Sequence, residues 1–434
     1  MKRILMEMNY MCGGKKNSGI FVASLLFVLS ECLSVLATQT EVVDGIPWSF
    51  VVSNYEARIV GSLHGEVGRN ESVKEHLDVP AQLGGYPVTA ISDDAFVRSM
   101  FWNGLTLKCI RRITIPSSIC QMHPRCLKWF RNLQEIDVDP ENKVYGSIDG
   151  SLYRKGGGDA LLMPPGRMHV SEVVCKDGAL LRCPRDASGD VVVPVEVKHI
   201  ADCAFVNCYK IRRVVLPSGI ESIGESAFCG CVGLTEINLP NSLTNIGERA
   251  FAQCIGLKSV VLPKQIPSIG LAAFASCRAI VRIDIPANVK SIGRAAFYDC
   301  RGLKYLNLAN GVVEIGDKAF AGCENLERVF VPVGVELIGE KAFVGCANLR
   351  EVDMPSTLRA LGDYAFQGCM QLELVVFRGK PPLIKNASSV FMMPLENLVV
   401  LADVGNPEWK EVLCKWPGEK RTLDVKSEFM RTLQ

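Results

Sequence analysis

Residues 222–240 read SIGESAFCGCVGLTEINLP, and this stretch decides the fold because it is one copy of a unit that returns every 23 residues. Phe205, Phe228, Phe251, Phe274, Phe297, Phe320, Phe343 and Phe366 keep that spacing. Each is followed three residues later by a cysteine, from Cys208 and Cys231 through to Cys369. Four residues before most of them stands a glycine: Gly224, Gly247, Gly270, Gly293, Gly316, Gly339 and Gly362. The unit reads I-G-x-x-A-F-x-x-C-x-x-L-x-x-V-x-L-P, and eight copies in phase define a repeat architecture before any local structure is assigned.

Within the unit, Ile223, Ala227, Phe228, Cys231 and Leu234 fall three to five residues apart or side by side, which predicts the apolar stripe of a short helix. Ile237 and Leu239 alternate with Glu236 and Asn238, the period of a strand with one buried face. Pro240 lacks an N–H and closes that strand. Gly224 is expected to give backbone freedom at the turn into the next segment. One such unit cannot bury its own apolar face, whereas stacked copies can. The expected fold is therefore an α/β solenoid, with a parallel sheet on one face, short helices or turns on the other, and short β segments as caps.

The unit resembles the leucine-rich repeat of the BspA-like family, known from bacterial surface proteins and some protists. The resemblance is strong over residues 200–377 and looser upstream, through Leu83–Phe96 and Ile113–Val138. In the second of these, Met122, His123, Cys126, Leu127 and Phe130 take the places of Ile, Gly, Ala, Phe and Cys. Val43–Asn54 resembles the family's N-terminal strand pair, Asn142–Gly166 a hairpin insert, and Cys175–Asp186 a shorter form of it. The implied organisation is a signal peptide over 1–37, an N-terminal β cap over 38–82 and degenerate repeats over 83–140. Hairpin inserts over 141–199, regular repeats over 200–378 and a C-terminal cap and tail over 379–434 complete it. The resemblance implies an exported, non-catalytic interaction module of adhesin type, recognising a protein or surface ligand. A spacer solenoid without a specific ligand is the alternative, and an enzyme or metal protein the remote one.

At 434 residues the chain exceeds a single ordinary core, consistent with an elongated array. A formal charge of +2 leaves no basic excess for nucleic acid. The 18 cysteines raise the question of metal, disulfide or buried thiol. Eight of them sit at one core-facing place of the repeat, where cysteine acts as a small hydrophobe with a weak donor, so buried thiols are expected there. Cys229 and Cys231 are too close for a zinc knuckle, whereas Cys175 and Cys183 flank the short insert and are a candidate disulfide.

No catalytic residues, cofactor or metal ligands are assigned. His64, His76, His123, His169 and His199 are scattered, and no H-E-x-x-H, phosphate loop or G-x-S-x-G occurs. The glycine-rich Lys155–Asp159 reads as a hairpin turn. At the N-terminus, Lys15 and Lys16 precede an apolar run from Ile20 to Leu29, followed by small residues near Ala37. That pattern predicts export with cleavage near Ala37 and no membrane span in the mature chain; a retained anchor is the alternative.

Two outward columns are expected on the sheet. One runs Arg213, Glu236, Ser259, Arg282, Tyr305, Arg328, Glu351, Leu374; the other runs Val215, Asn238, Val261, Asp284, Asn307, Phe330, Asp353, Val376. Arg213–Glu236 and Arg328–Glu351 are candidate ion pairs, and Arg282, Tyr305 and Arg328 a candidate cation–π stack. Tyr305, Arg328 and Phe330, with Arg282 beside them, form the candidate partner patch, since exposed aromatics with arginine are typical interface anchors.

Overall fold

The fold is taken from a computed structural model. It describes residues 38–424, without 45, 63–74, 93–94, 97–109, 128–129, 131, 149, 156–177, 184–186, 387–388, 392–397, 403–406 and 415–421. The expected signal peptide and the Cys175 half of the candidate disulfide lie outside the described residues.

Each 23-residue coil turns through three walls. The first is a two-residue parallel strand ending in the Ile before the repeat glycine, as in Ser291–Ile292, Glu314–Ile315 and Leu337–Ile338. The third is the V-x-L strand, as in Arg282–Ile285, Tyr305–Leu308, Arg328–Phe330 and Glu351–Met354. In both walls a residue pairs in parallel with the residue 23 further on, for example Ile292 with Ile315 and Arg282 with Tyr305. This one-coil register follows from the strict repeat length, and it aligns like positions into columns.

The second wall holds Ala, Phe and Cys, and it corrects the expected helix. In the Phe228 coil the N–H groups of Ser226, Phe228 and Gly230 donate to the carbonyls of Glu248, Ala250 and Ala252 in the next coil, at 2.8, 2.7 and 2.8 Å. The alternate N–H groups of Ala227, Cys229 and Cys231 donate three residues back, to Gly224, Ser226 and Phe228. Ser226 and Gly230 have φ of 54° and 76°, and the same two places are left-handed in every coil from Phe205 to Phe366. A helix needs right-handed φ throughout and each N–H bonded four residues back. Here every second donor serves the neighbouring coil, so the run is a ladder of turns. The named helical elements among the described residues are the 3₁₀ turn Pro124–Leu127 and the helix Pro407–Leu413.

The core is built behind these walls. Phenylalanine rings from Phe205 to Phe366 are fully buried and stack face to face, with centroids 5.4 Å apart and planes 2° from parallel between Phe297 and Phe320. Phe391 extends the stack beyond the 23-residue phase. The repeat glycine is needed for space rather than for turning: a Cβ at Gly224 would lie 2.5 Å from the Asp202 backbone nitrogen in the preceding coil. At the C-terminal end Val399–Ala402 continues the V-x-L sheet in parallel, and buried Trp409 donates from its indole nitrogen to the Gly379 carbonyl at 3.1 Å.

One junction of the regular array lacks both sheet ladders. Glu221, Thr244, Lys290, Val313, Glu336 and Arg359 occupy one place in successive coils, and each donates its N–H to the coil before it. Pro267 takes that place in the Phe274 coil and has no N–H to give. The Gly270 N–H also lacks the bond that Gly247 and Gly293 make at 2.8 Å. A Cβ at Gly270 would first meet an atom at 3.4 Å, whereas the same construction at Gly247 or Gly293 meets one at 2.5 or 2.7 Å. On the third wall, residues 258–262 form no strand, so the sheet ends at Glu236–Ile237 and restarts at Arg282–Ile285. The turn wall crosses intact, with Arg249, Phe251 and Gln253 donating to Leu271, Ala273 and Ala275 at 2.8, 2.7 and 2.7 Å.

Candidate interaction surface

The V-x-L sheet beyond the Pro267 junction is continuous from Arg282–Ile285 to Leu374–Phe377. Its buried side chains, among them Ile283, Val329 and Val352, face the core, so the alternating residues project outward. Register places Arg282, Tyr305, Arg328 and Glu351 side by side in one column. Asp284 aligns with Asn307, and Phe330 with Asp353, in the other column. The four candidate residues are therefore brought together. Tyr305 is 50% and Phe330 53% exposed, far above the buried strand residues between them.

The electrostatics differ in part from expectation. Arg328 meets Glu351 at 3.5 Å, as the column implies. Arg213, however, pairs with Asp190 of the preceding coil at 2.8 Å rather than with Glu236. Asp190 lies on Gly189–Val192, an irregular strand that the repeat pattern did not include. Arg282 turns along its own strand to Asp284, with bonds of 2.9 Å, and this guanidinium holds the Asp284 carboxyl below its ordinary pKa against the opposing effect of partial burial. The cation over the Tyr305 ring is Lys304, 5.4 Å from the centroid, instead of an arginine. Val376, expected outward, is buried. Two residues further along the same face, Arg378 bonds Asp353, the register partner of Val376.

The ladder cysteines have a structural task that sequence spacing did not reveal. From Cys231 to Cys369 each Sγ–H donates to the carbonyl of the phenylalanine in the preceding coil, as Cys300 does to Phe274 at 3.2 Å. Cysteine thus fills a small apolar site and supplies one donor that alanine lacks. Burial pushes the Cys300 and Cys369 thiols up to about 12, so they stay protonated at neutral pH. Among the described residues no group of three or more His, Cys, Asp or Glu side chains is arranged to hold a metal ion.

A solenoid of stacked 23-residue coils with parallel walls is the architecture of a leucine-rich repeat protein. The family model for the BspA type leucine rich repeat region matches residues 188–304 and 268–393, with six copies. The chain belongs to the BspA-type leucine-rich repeat proteins. A leucine-rich repeat protein from Eubacterium ventriosum shares the fold at 22% identity and a TM-score of 0.50, over 62% of this chain and 64% of that one. One from Bacteroides ovatus is 20% identical over 89% of this chain and 79% of that one, with a TM-score of 0.49. The T. pallidum leucine rich repeat protein is 36% identical over 37% of this chain and 77% of that one, with a TM-score of 0.34. No curated protein matches the chain.

Proposed function

We propose that this protein is an exported, non-catalytic interaction module that recognises a protein or surface ligand through the Tyr305, Arg328 and Phe330 face, with Arg282 at its edge. The observation that carries this reading is the pair of half-exposed aromatic rings on adjacent columns of one continuous sheet. Neither ring is part of the buried core, so nothing in folding requires an aromatic there. Large apolar rings beside arginine gain most when a partner removes them from water. Export is supported by the Lys15–Ala37 pattern. Among the described residues no helix is long and apolar enough to cross a membrane. The ion pairs Arg328–Glu351 and Arg378–Asp353 favour the spacer alternative, in which the face only keeps the array hydrated.

The test compares the full chain with the Y305A/R328A/F330A variant in pull-downs from host and envelope extracts. The interaction reading expects a specific partner to be lost in the variant while the melting temperature is unchanged. A variant that retains every captured partner contradicts it.

A further inference from the structure

A second site lies at the other end of the molecule, on the first wall. There Glu56–Ser62, Tyr86–Ile91 and Gln121–Met122 pair in parallel, aligning Arg58, Ala90 and Gln121 in one row. The sheet then stops. Instead of another strand, the hairpin of Tyr145–Ile148 and Ser151–Arg154 arrives, and the Met122 N–H donates to the Tyr145 phenol oxygen at 2.7 Å. The gap left between the sheet end and the hairpin is a cleft of about 360 Å³. That volume lies toward the small end of ligand sites.

The lining of the cleft is unusual in charge. Among the described residues it includes Arg58, Arg154, His123 and Tyr145, and no aspartate or glutamate. Several other sheet arginines meet carboxylates, Arg112 with Glu135 and Arg213 with Asp190 one coil away, and Arg282 with Asp284 on its own strand. Arg58 instead donates to the neutral Gln121 amide oxygen at 3.2 Å and makes no ion pair among the described residues. Arg154 makes no ion pair among the described residues, and its guanidinium lies near enough to Tyr145 to favour ionisation of the phenol. Burial outweighs that influence and raises the pKa of Tyr145, so the phenol keeps its proton. Its oxygen accepts from Met122, and its own hydrogen remains to be donated.

We propose that this cleft binds a small phosphate monoester, with the phosphate held by Arg58, Arg154 and the Tyr145 hydroxyl. Two guanidinium groups that form no ion pair among the described residues match a dianion better than a monoanion, and their forked donors suit phosphate oxygens. The site is independent of the Tyr305 face and does not rest on its function.

The experiment titrates the full chain with phenyl phosphate and, separately, with benzoate, at fixed ionic strength in a calorimeter. Saturable one-to-one binding of phenyl phosphate is expected, with benzoate weaker by about tenfold, the change that about 1.4 kcal/mol produces. Arg154→Gln and Arg58→Gln should each weaken phenyl phosphate about tenfold or more, and Tyr145→Phe should weaken it less. Arg212→Gln, which removes an exposed arginine outside the cleft, should leave it unchanged. Melting temperatures confirm that each variant folds, and the two arginine variants serve as independent checks on one another. No saturable binding up to about 10 mM, weaker than any useful affinity, overturns the site. Equal weakening by Arg212→Gln overturns it as well, because the effect is then one of net charge. Benzoate binding as tightly as phenyl phosphate overturns the dianion assignment.

Discussion

Two neighbouring junctions of the same array are held in different ways. Between the Phe274 and Phe297 coils the first wall pairs Ser268–Ile269 with Ser291–Ile292, and the turn wall carries Phe274 to the Ala296 carbonyl at 2.8 Å. Between the Phe251 and Phe274 coils neither sheet wall forms a ladder, yet the rings remain 5.2 Å apart and 7° from parallel. The difference separates two contributions that are elsewhere combined. Ring stacking and the turn-wall hydrogen bonds are sufficient to keep coils in register where both sheets are interrupted. A solenoid's stability sums repeat and neighbour terms, so a junction with fewer neighbour bonds is where the array should divide.

The largest effects should come from the rings. Phe274→Ala and Phe320→Ala each remove a fully buried ring and should cost about 3–5 kcal/mol. Their unfolding profiles should differ. Phe274→Ala removes the main contact across the weak junction and should split denaturation into two transitions, one for each side of Pro267. Phe320→Ala lies among fully paired coils and should lower stability with less separation. Phe366→Ala, next to the cap, should mainly fray the end. One transition shifted alike by all three would show that the junction is not a boundary.

Cysteine substitutions sharpen the comparison on a smaller scale. Cys300→Ala removes a buried thiol and its bond to the Phe274 carbonyl, at an expected cost of about 1–3 kcal/mol. Cys229→Ala, at a half-buried side chain off the ladder, should change stability by less than about 0.5 kcal/mol. Equal effects in urea melts would mean that neither the burial of the ladder thiol nor its bond to the carbonyl stabilises the array.

Pro267→Thr should have the smallest effect on overall stability. A restored N–H bond contributes about 0.5–1.5 kcal/mol, while losing proline frees the unfolded chain by about 0.4–1 kcal/mol. The two nearly offset, so the melting temperature should scarcely move. The change should appear in cooperativity: in the Phe274→Ala background, Pro267→Thr should draw the two transitions together. Unaltered separation would place the weakness of the junction elsewhere than at the missing donor.

Much of the fold was legible because a repeat of fixed length leaves little choice of register. Tyr305 next to Arg328 and Phe330 next to Asp353 followed from counting alone. The helix was misread for a specific reason. The apolar spacing of Ile223, Ala227, Phe228 and Cys231 suits a helix, but spacing within one coil does not reveal that alternate amides serve the next coil. The glycine was recognised for the wrong cause, since the clash at Gly224 comes from a segment 22 residues earlier. Pro267 was visible as a proline in a place where the other coils carry an amide donor. Its effect became clear only once that place was known to donate between coils. Arg58 and Arg154 gave no sequence signal, because they stand 96 positions apart in the chain and outside the regular repeats.

The array crosses the Pro267 junction on its turn wall alone, and native-state amide hydrogen exchange reads this residue by residue. The amides of Phe251 and Gln253, bonded to Ala273 and Ala275, should be protected like their counterparts in other coils. The Gly270 amide, without the bond that Gly247 and Gly293 make, should exchange about 100-fold faster than either. Equal protection of Gly247, Gly270 and Gly293 would contradict the account.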